Sequence, residues 1–298
     1  TVALDPGERT IELKAALPDA RLWTPDTPHL YLCEVSLLEA GRPVDVATRR
    51  FGFRWFNAEG IGERAVFRLN GKRIVLRSAI NWGFWPTNGI YPTPELARRE
   101  IQTAKDLGLN MLNAHRAIGS RLFFDLADEM GLLTYAEPGN YVSGDVDLAF
   151  TQKLMREKWL RMVKRDRSAP SLVIRNMINE GWGSAAVMEK RPELLETRKR
   201  DLRDAHALDP SRIVTHTSAW APAPEVEDLS KMHMRPFDDT LYMNGGDDVH
   251  HAEGPDTWND GLYTSPTDFY LDVHNPKEIV FWGEEAAIST PMRIGSIA

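Results

Sequence analysis

Along the first seventy or so residues, apolar and polar positions alternate in short runs with a period near two. Thr10-Ile11-Glu12-Leu13-Lys14 alternates, and residues 31–37 do so in part. Pro18, Pro25, Pro28, Gly41 and Pro43 punctuate these runs, as turn residues do between strands. Val66-Phe67-Arg68-Leu69 and Lys72-Arg73-Ile74-Val75-Leu76 flank Asn70-Gly71, a dipeptide suited to the two positive φ values of a type I′ turn. Short strands without a helical period predict a sandwich of the immunoglobulin type.

From about residue 72 the rhythm becomes strand, then helix, repeatedly. Ile74-Val75-Leu76 reads as a short strand. Thr93 is placed to N-cap a helix with Pro94 at its first position; Ala97, Ile101 and Ala104 share a face, and Gly108 ends it. Asn110-Met111-Leu112 reads as a strand. Ser120 caps the next helix, with Leu122, Phe123, Leu126, Ala127 and Met130 inward and Gly131 closing it. Leu132-Leu133-Thr134-Tyr135 is a third strand. A helix with Met155, Trp159, Met162 and Val163 on one face follows. Ser171-Leu172-Val173-Ile174 leads the fourth strand, and a polar helix spans residues 193–207. Arg212-Ile213-Val214-Thr215 is the fifth strand, Lys231-Met232-His233 the candidate sixth, and Glu278-Ile279-Val280-Phe281-Trp282 the seventh. Repeated β-α units with short apolar strands predict a parallel sheet buried on both faces. Many units in series favour a (β/α)8 TIM barrel, and no glycine-rich phosphate loop supports a dinucleotide-binding sheet. The expected fold class is therefore α/β, a barrel preceded by part of a β-sandwich.

Composition narrows this without redirecting it. The chain has 298 residues, a formal net charge of -7, 42% hydrophobic and 27% charged residues, an ordinary globular balance. The mild acidity argues against nucleic-acid or anionic-membrane partners. No apolar run reaches the roughly 18 residues of a spanning helix. The single cysteine, Cys33, excludes an intrachain disulfide and a cysteine-based metal cluster. The chain opens at Thr1 without a leader-like segment, so the natural N-terminus is expected to lie upstream.

In a barrel the chemistry sits where strands end. The polar residues there are Asn81 and Trp82, His115 and Arg116, Glu137, Asn179 and Glu180, His216, His233, and Glu284 with Glu285. Two carboxylates on different strands, Glu180 and Glu284, suit retaining sugar hydrolysis. That reaction needs a general acid/base and a nucleophile about 5–5.5 Å apart. A solvated loop carboxylate is the plainer reading of either residue taken alone. Trp82, Trp85, Trp182 and Trp220 suit stacking on sugar faces and equally suit structural packing. The same two readings apply to His115 and His233.

The stretch from Arg165 through Asp166, Pro170, Ser171, Leu172 and Val173 to Asn179 and Glu180 resembles the fourth-strand motif of glycoside hydrolase family 2. Ala169 and Arg175 depart from it, standing where the family usually has His and Trp. Leu22-Trp23-Thr24-Pro25 with Pro28-His29-Leu30-Tyr31, Arg50-Phe51-Gly52-Phe53-Arg54 and Leu69-Asn70-Gly71-Lys72 resemble further motifs of that family, in order, as does residues 124–133. The resemblance implies an immunoglobulin-like sandwich followed by a catalytic barrel, and retaining cleavage of β-glycosides without cofactor or metal. It implies Glu180 as acid/base, Asn179 on the sugar 2-hydroxyl, and a nucleophile in the stretch 277–285. Glu284 is favoured there and Glu285 is the alternative. Asn81, His115, Glu137, Trp182 and His233 are the expected substrate-binding residues. In the second-strand motif Asn113 replaces an Arg, and His115 and Arg116 are displaced by one; the first and sixth strands also depart.

The expected division is residues 1–60 as the C-terminal part of a sandwich and 61–298 as a barrel ending after strand seven. The expected partner is a carbohydrate, with neither nucleic acid nor membrane; homo-oligomerisation of a full-length protein is left open. A periplasmic or secreted location follows family habit only. Two competing readings are a non-catalytic carbohydrate-binding relative, suggested by the altered second-strand motif, and a metal-dependent barrel hydrolase, suggested by His216 and His233. The second has an incomplete ligand set.

Overall fold

A computed structural model describes residues 2–3, 7, 10–59, 66–81, 92–138, 148–177, 192–215, 242–246 and 279–282. Alternation in the N-terminal region yields an antiparallel hairpin. β1 (Tyr31–Glu39) pairs with β2 (Arg42–Phe51), Tyr31 opposite Phe51, and the chain reverses at Ala40 and Gly41. At its open end the rings of Tyr31, Phe51 and Phe53 pack together with centroids 5.4–5.8 Å apart.

A second antiparallel sheet has the order β3 (Phe56–Glu59), β4 (Val66–Leu69), β5 (Lys72–Ile74). Its tight turn is the Asn-Gly turn read from the sequence, with φ of 52° at Asn70 and 79° at Gly71. The Asn70 carboxamide also ties the turn down. It donates to the Trp23 carbonyl at 2.9 Å and accepts from the Trp55 amide at 3.1 Å. Because β3 pairs with β4, a boundary drawn at residue 60 runs through this sheet.

Among the described residues the larger sheet has seven strands. They are β6 (Ser78–Asn81), β7 (Met111–Ile118), β8 (Leu133–Glu137), β9 (Leu172–Asn176), β10 (Ile213–Thr215), β11 (Tyr242–Gly246) and β12 (Ile279–Trp282). Each pairs in parallel with the next, so spatial order follows chain order throughout. Two strand positions differ from the sequence reading. The first parallel strand is 78–81 and not 74–76. Lys72–Ile74 belongs to the antiparallel sheet, and the Asn110 side chain then takes the Val75 carbonyl at 2.8 Å and the Arg77 amide at 2.7 Å. Those two bonds occupy backbone groups that a continuing ladder would use. The sixth place in the sheet is filled by β11; Lys231–His233 lies outside the described residues.

Helices α1 (Pro94–Asp106), α2 (Arg121–Met130), α3 (Leu148–Asp166) and α4 (Pro192–Leu208) lie between strands in the chain. Thr93 Oγ1 accepts from the Leu96 amide and Ser120 Oγ from the Phe123 amide, so both predicted N-caps form. Ala97, Ile101 and Ala104 of α1 and Phe123, Phe124, Leu126 and Ala127 of α2 pack on Leu112, Ala136 and Leu172 of the sheet. Trp159 and Val163 of α3 and Ala205 of α4 pack on Val214. The other face of the sheet presents Met111, Leu133, Tyr135, Ile174 and Ile213 to Trp23, Phe56 and Leu69 of the antiparallel region.

Side chains of the N-terminal region bind α2 and the chain that enters β9 and β10. Trp23 Nε1 donates to the Asp128 carbonyl at 2.9 Å. Arg54 donates to the carbonyls of Pro170, Leu172 and Ser211 at 2.9, 2.6 and 2.6 Å. Arg50 pairs with Glu129 and approaches Asp125 at 3.6 Å. Pro170 and Ser211 stand just before β9 and β10, so the antiparallel region is docked at the N-terminal ends of the parallel strands. The C-terminal ends form the opposite end of the molecule.

Candidate active site at the C-terminal strand ends

Strand alternation decides which side chains reach the inner face there. On β7, Met111 is in the inner cluster and Leu112 under the helices, which puts Asn113 and His115 on the inner face. On β8, Tyr135 is inner and Ala136 outer, so Glu137 is inner. On β9 the register partner of Tyr135 is Ile174, and that of Ala136 is Arg175. Asn176 therefore shares the inner face with Ile174, while Arg175 points to the helices.

His115 and Glu137 meet on this wall. Each is 1% exposed, and His115 Nδ1 lies 3.5 Å from Glu137 Oε2. At that distance the carboxylate is placed to orient the imidazole ring. Around the pair stand amides. Asn113 and Asn176 are 1% and 0% exposed, and neither the oxygen nor the nitrogen of either carboxamide has a hydrogen-bond partner.

The opposite face of β9 carries a buried ionic group. Arg175 donates to the Val163 carbonyl at 3.4 Å and to Asp209 at 3.3 Å, and Asp209 also binds Arg212. Burial, with the neighbouring Arg212 charge, lowers Arg175 to about 10, so it stays a cation at neutral pH. Burial pushes the Asp209 carboxyl up, but Arg212 and Arg175 hold it below the ordinary carboxylate value. The departure at Arg175 from the family motif is thus matched by its own counter-ion and lies outside the site.

Asn81 pairs in register with Ala114, not with Asn113 or His115. Its side chain hydrogen-bonds Glu100 of α1, so the structure gives it a partner on the helix side of the sheet. Burial raises the Glu100 carboxyl to about 7, a shift the Asn81 bond opposes. Asn179, Glu180, Trp182, His233, Glu284 and Glu285 lie outside the described residues, as do Trp82, Trp85, His216 and Trp220. In sequence Glu180 comes four residues after the last residue of β9, and Glu284 two after the last residue of β12. Among the described residues no three His, Cys, Asp or Glu side chains are grouped to hold a metal ion. Asn176 was absent from the sequence-derived site; the signal for it is its place two residues after the inward-facing Ile174.

Comparison with known proteins bears on the family. Residues 1–54 match the family model described as glycosyl hydrolases family 2. A protein of Formosa agariphila named a putative beta-glucuronidase is 28% identical over 214 residues, covering 69% of this chain and 19% of that protein. A beta-galactosidase of Lactococcus lactis is 28% identical over 175 residues, covering 55% of this chain and 17% of that protein. Among solved structures, apo beta-glucuronidase 3 of Bacteroides uniformis superimposes with a TM-score of 0.56 at 27% identity, covering 67% of this chain and 25% of that one. The chain spans about a fifth of the length of the curated relatives it matches. The resemblance read from the motifs is borne out as a similarity: residues 1–54 match the family 2 model, and the longer matches are to proteins and structures named as beta-glucuronidases and beta-galactosidases.

Proposed function

We propose that this chain carries the catalytic centre of a retaining glycoside hydrolase acting on β-glycosides. On this reading Glu180 is the acid/base and Glu284 the nucleophile, at the C-terminal end of a (β/α)8 barrel. The N-terminal part of the chain supplies part of an immunoglobulin-like sandwich and the rest the barrel, with the β3–β4–β5 sheet spanning the boundary read at residue 60. The observation that carries the reading is the monotonic parallel sheet: Glu180 follows the last residue of β9 by four positions in sequence and Glu284 that of β12 by two, while β8 and β7, next to β9 in the sheet order, carry the buried His115–Glu137 pair. A sheet that follows chain order through seven strands curls toward closure, whereas a doubly wound sheet reverses.

The chemistry follows from two carboxyls with different tasks. Glu284 attacks the anomeric carbon as Glu180 protonates the departing oxygen; Glu180 then takes a proton from water, which releases the sugar from Glu284. Asn179 bonds the sugar 2-hydroxyl. The His115–Glu137 pair, Trp182 and His233 form the sugar pocket, and Asn81 supports its edge through α1. No metal or cofactor takes part.

The test is turnover of aryl β-galactoside, β-glucuronide and β-mannoside, followed by trapping with the matching 2-fluoro sugar. Glu180→Gln should lower steady-state turnover by at least about 10²-fold, with azide restoring release of the sugar as a glycosyl azide. The trapped label should sit on the peptide holding Glu284 and Glu285, and on Glu284 within it. Full activity of Glu180→Gln, or a label on any other peptide, overturns the assignment. A label on Glu285 reassigns the nucleophile.

A further inference from the structure

We propose that Asn176 is a sugar-hydroxyl ligand that sets substrate specificity, an inference that rests on the glycosidase reading of the same site. Asn176 is the last residue of β9, wholly buried, and both polar atoms of its carboxamide lack a partner. Such a group is costly to keep in a folded interior, because its lost bonds to water are replaced by nothing. The surroundings do not compensate. Its β9 neighbour on the inner face, Ile174, is apolar, and the only buried cation on its strand, Arg175, faces α3 and Asp209.

The position of this amide gives its retention a purpose. It ends its strand as Glu137 ends β8, on the inner face that also holds His115, and it precedes Glu180 by four residues. A carboxamide presents one acceptor and two donors in a plane. Two adjacent hydroxyls of a pyranose present the complementary set, each able to give one bond and take one. A bound sugar therefore satisfies at once the groups that the protein alone leaves unpaired. A site built to bond a hydroxyl rejects the analogue lacking it far more strongly than an apolar site does. Asn113 on β7 carries a second unpaired amide on this face, which marks the wall as built for a hydroxyl-rich ligand.

The experiment compares wild type with Asn176→Leu, Asn176→Ala and Asn176→Asp. Leu removes the unpaired amide at similar volume, so the unliganded variant should melt about 2–4 °C higher. Its kcat/KM on whichever aryl glycoside the wild type cleaves should fall about tenfold or more. The second reading uses monodeoxy versions of that substrate. The deoxy sugar lacking the contacted hydroxyl should be poor for wild type and no poorer than the parent sugar for Asn176→Ala. A structural role gives the opposite pattern: a lower melting temperature, unchanged kcat/KM in the folded fraction, and no deoxy substrate whose penalty disappears. That pattern overturns the inference and leaves the glycosidase reading standing. If wild type cleaves none of the aryl glycosides, the glycosidase reading fails. Thermal shifts with methyl β-galactoside, methyl β-glucuronide and methyl β-mannoside then decide the role of Asn176. A shift present in wild type and lost in Asn176→Leu supports it, and no shift in wild type overturns it.

Discussion

Single residues at the two faces of the sheet obey different rules, and Glu100 shows how. Its carboxyl sits under α1 against Asn81, and burial raises it to about 7 from an ordinary 4.5. The folded protein therefore holds this proton more tightly than the unfolded chain does. The stabilisation belongs to the protonated form; it is complete below about pH 4.5 and is lost as pH rises through about 7. Asp128, raised to about 6 by burial against its Ser171 hydrogen bonds, acts in the same direction. Glu100→Gln keeps a partner for Asn81 and removes the charge. Urea denaturation should find this variant more stable than wild type by about 1–2 kcal/mol at pH 8, after allowing for solvent at a partly exposed group, and equal to it at pH 4. Equal stability at both pH values would show that Glu100 ionises freely in the fold. Asn81 was legible in the sequence as a polar strand end, but which face it takes was not, because register with Ala114 is set by pairing between strands.

At the scale of elements, the local signals carried furthest. Thr93, Ser120 and Gly131 cap as their types dictate, and Met155, Trp159, Met162 and Val163 are all buried as their spacing implies. The strand expected at 74–76 is displaced because long-range bonds outcompete a local pattern. Residues 74–76 are apolar enough for a strand of the large sheet, yet β4 and the Asn110 side chain claim them first. Of the site, the inner-face His115 and Glu137 were legible as strand-end polar residues. Asn176 was not, since its role depends on its amide having no partner. Gly131 shows an element boundary doing two jobs. It has φ of 71°, and a Cβ there would stand 2.0 Å from the Pro25 carbonyl oxygen. Gly108 has a φ of 78° with nothing within 4 Å. Gly108→Ala should cost about 1 kcal/mol, the conformational part alone. Gly131→Ala should cost at least about 3 kcal/mol, since it also forces residues 22–25 away from α2. Chemical denaturation of the two variants measures the difference; equal losses would mean that the contact with Pro25 contributes nothing to stability.

On the glycosidase reading, the molecule as a whole separates holding from chemistry along the strand direction. Trp23 and Arg50 grip the last turn of α2 and Arg54 the chain entering β9 and β10, while His115, Glu137 and Asn176 lie toward the other ends of β7, β8 and β9. Fixing the fold at one end while ligand contacts vary at the other is what a parallel sheet of βα units permits. Arg54 is the sharpest probe of that separation. Its guanidinium is held well below its usual range by burial and the nearby Arg212 charge, with Asp209 opposing, and three carbonyls depend on it. Arg54→Met keeps much of the side-chain volume and leaves those carbonyls without their donor. The variant should lose about 2–4 kcal/mol of stability, measured by urea denaturation. On the glycosidase reading, its folded fraction should keep KM within about twofold of wild type, since no strand-end group moves. Asn176→Leu should show the reverse, higher stability with weaker catalysis. A change in KM beyond about fivefold in Arg54→Met, with the native circular dichroism spectrum retained, would mean that the two ends are coupled through the strands, and that the antiparallel region shapes the site as well as supporting the sheet.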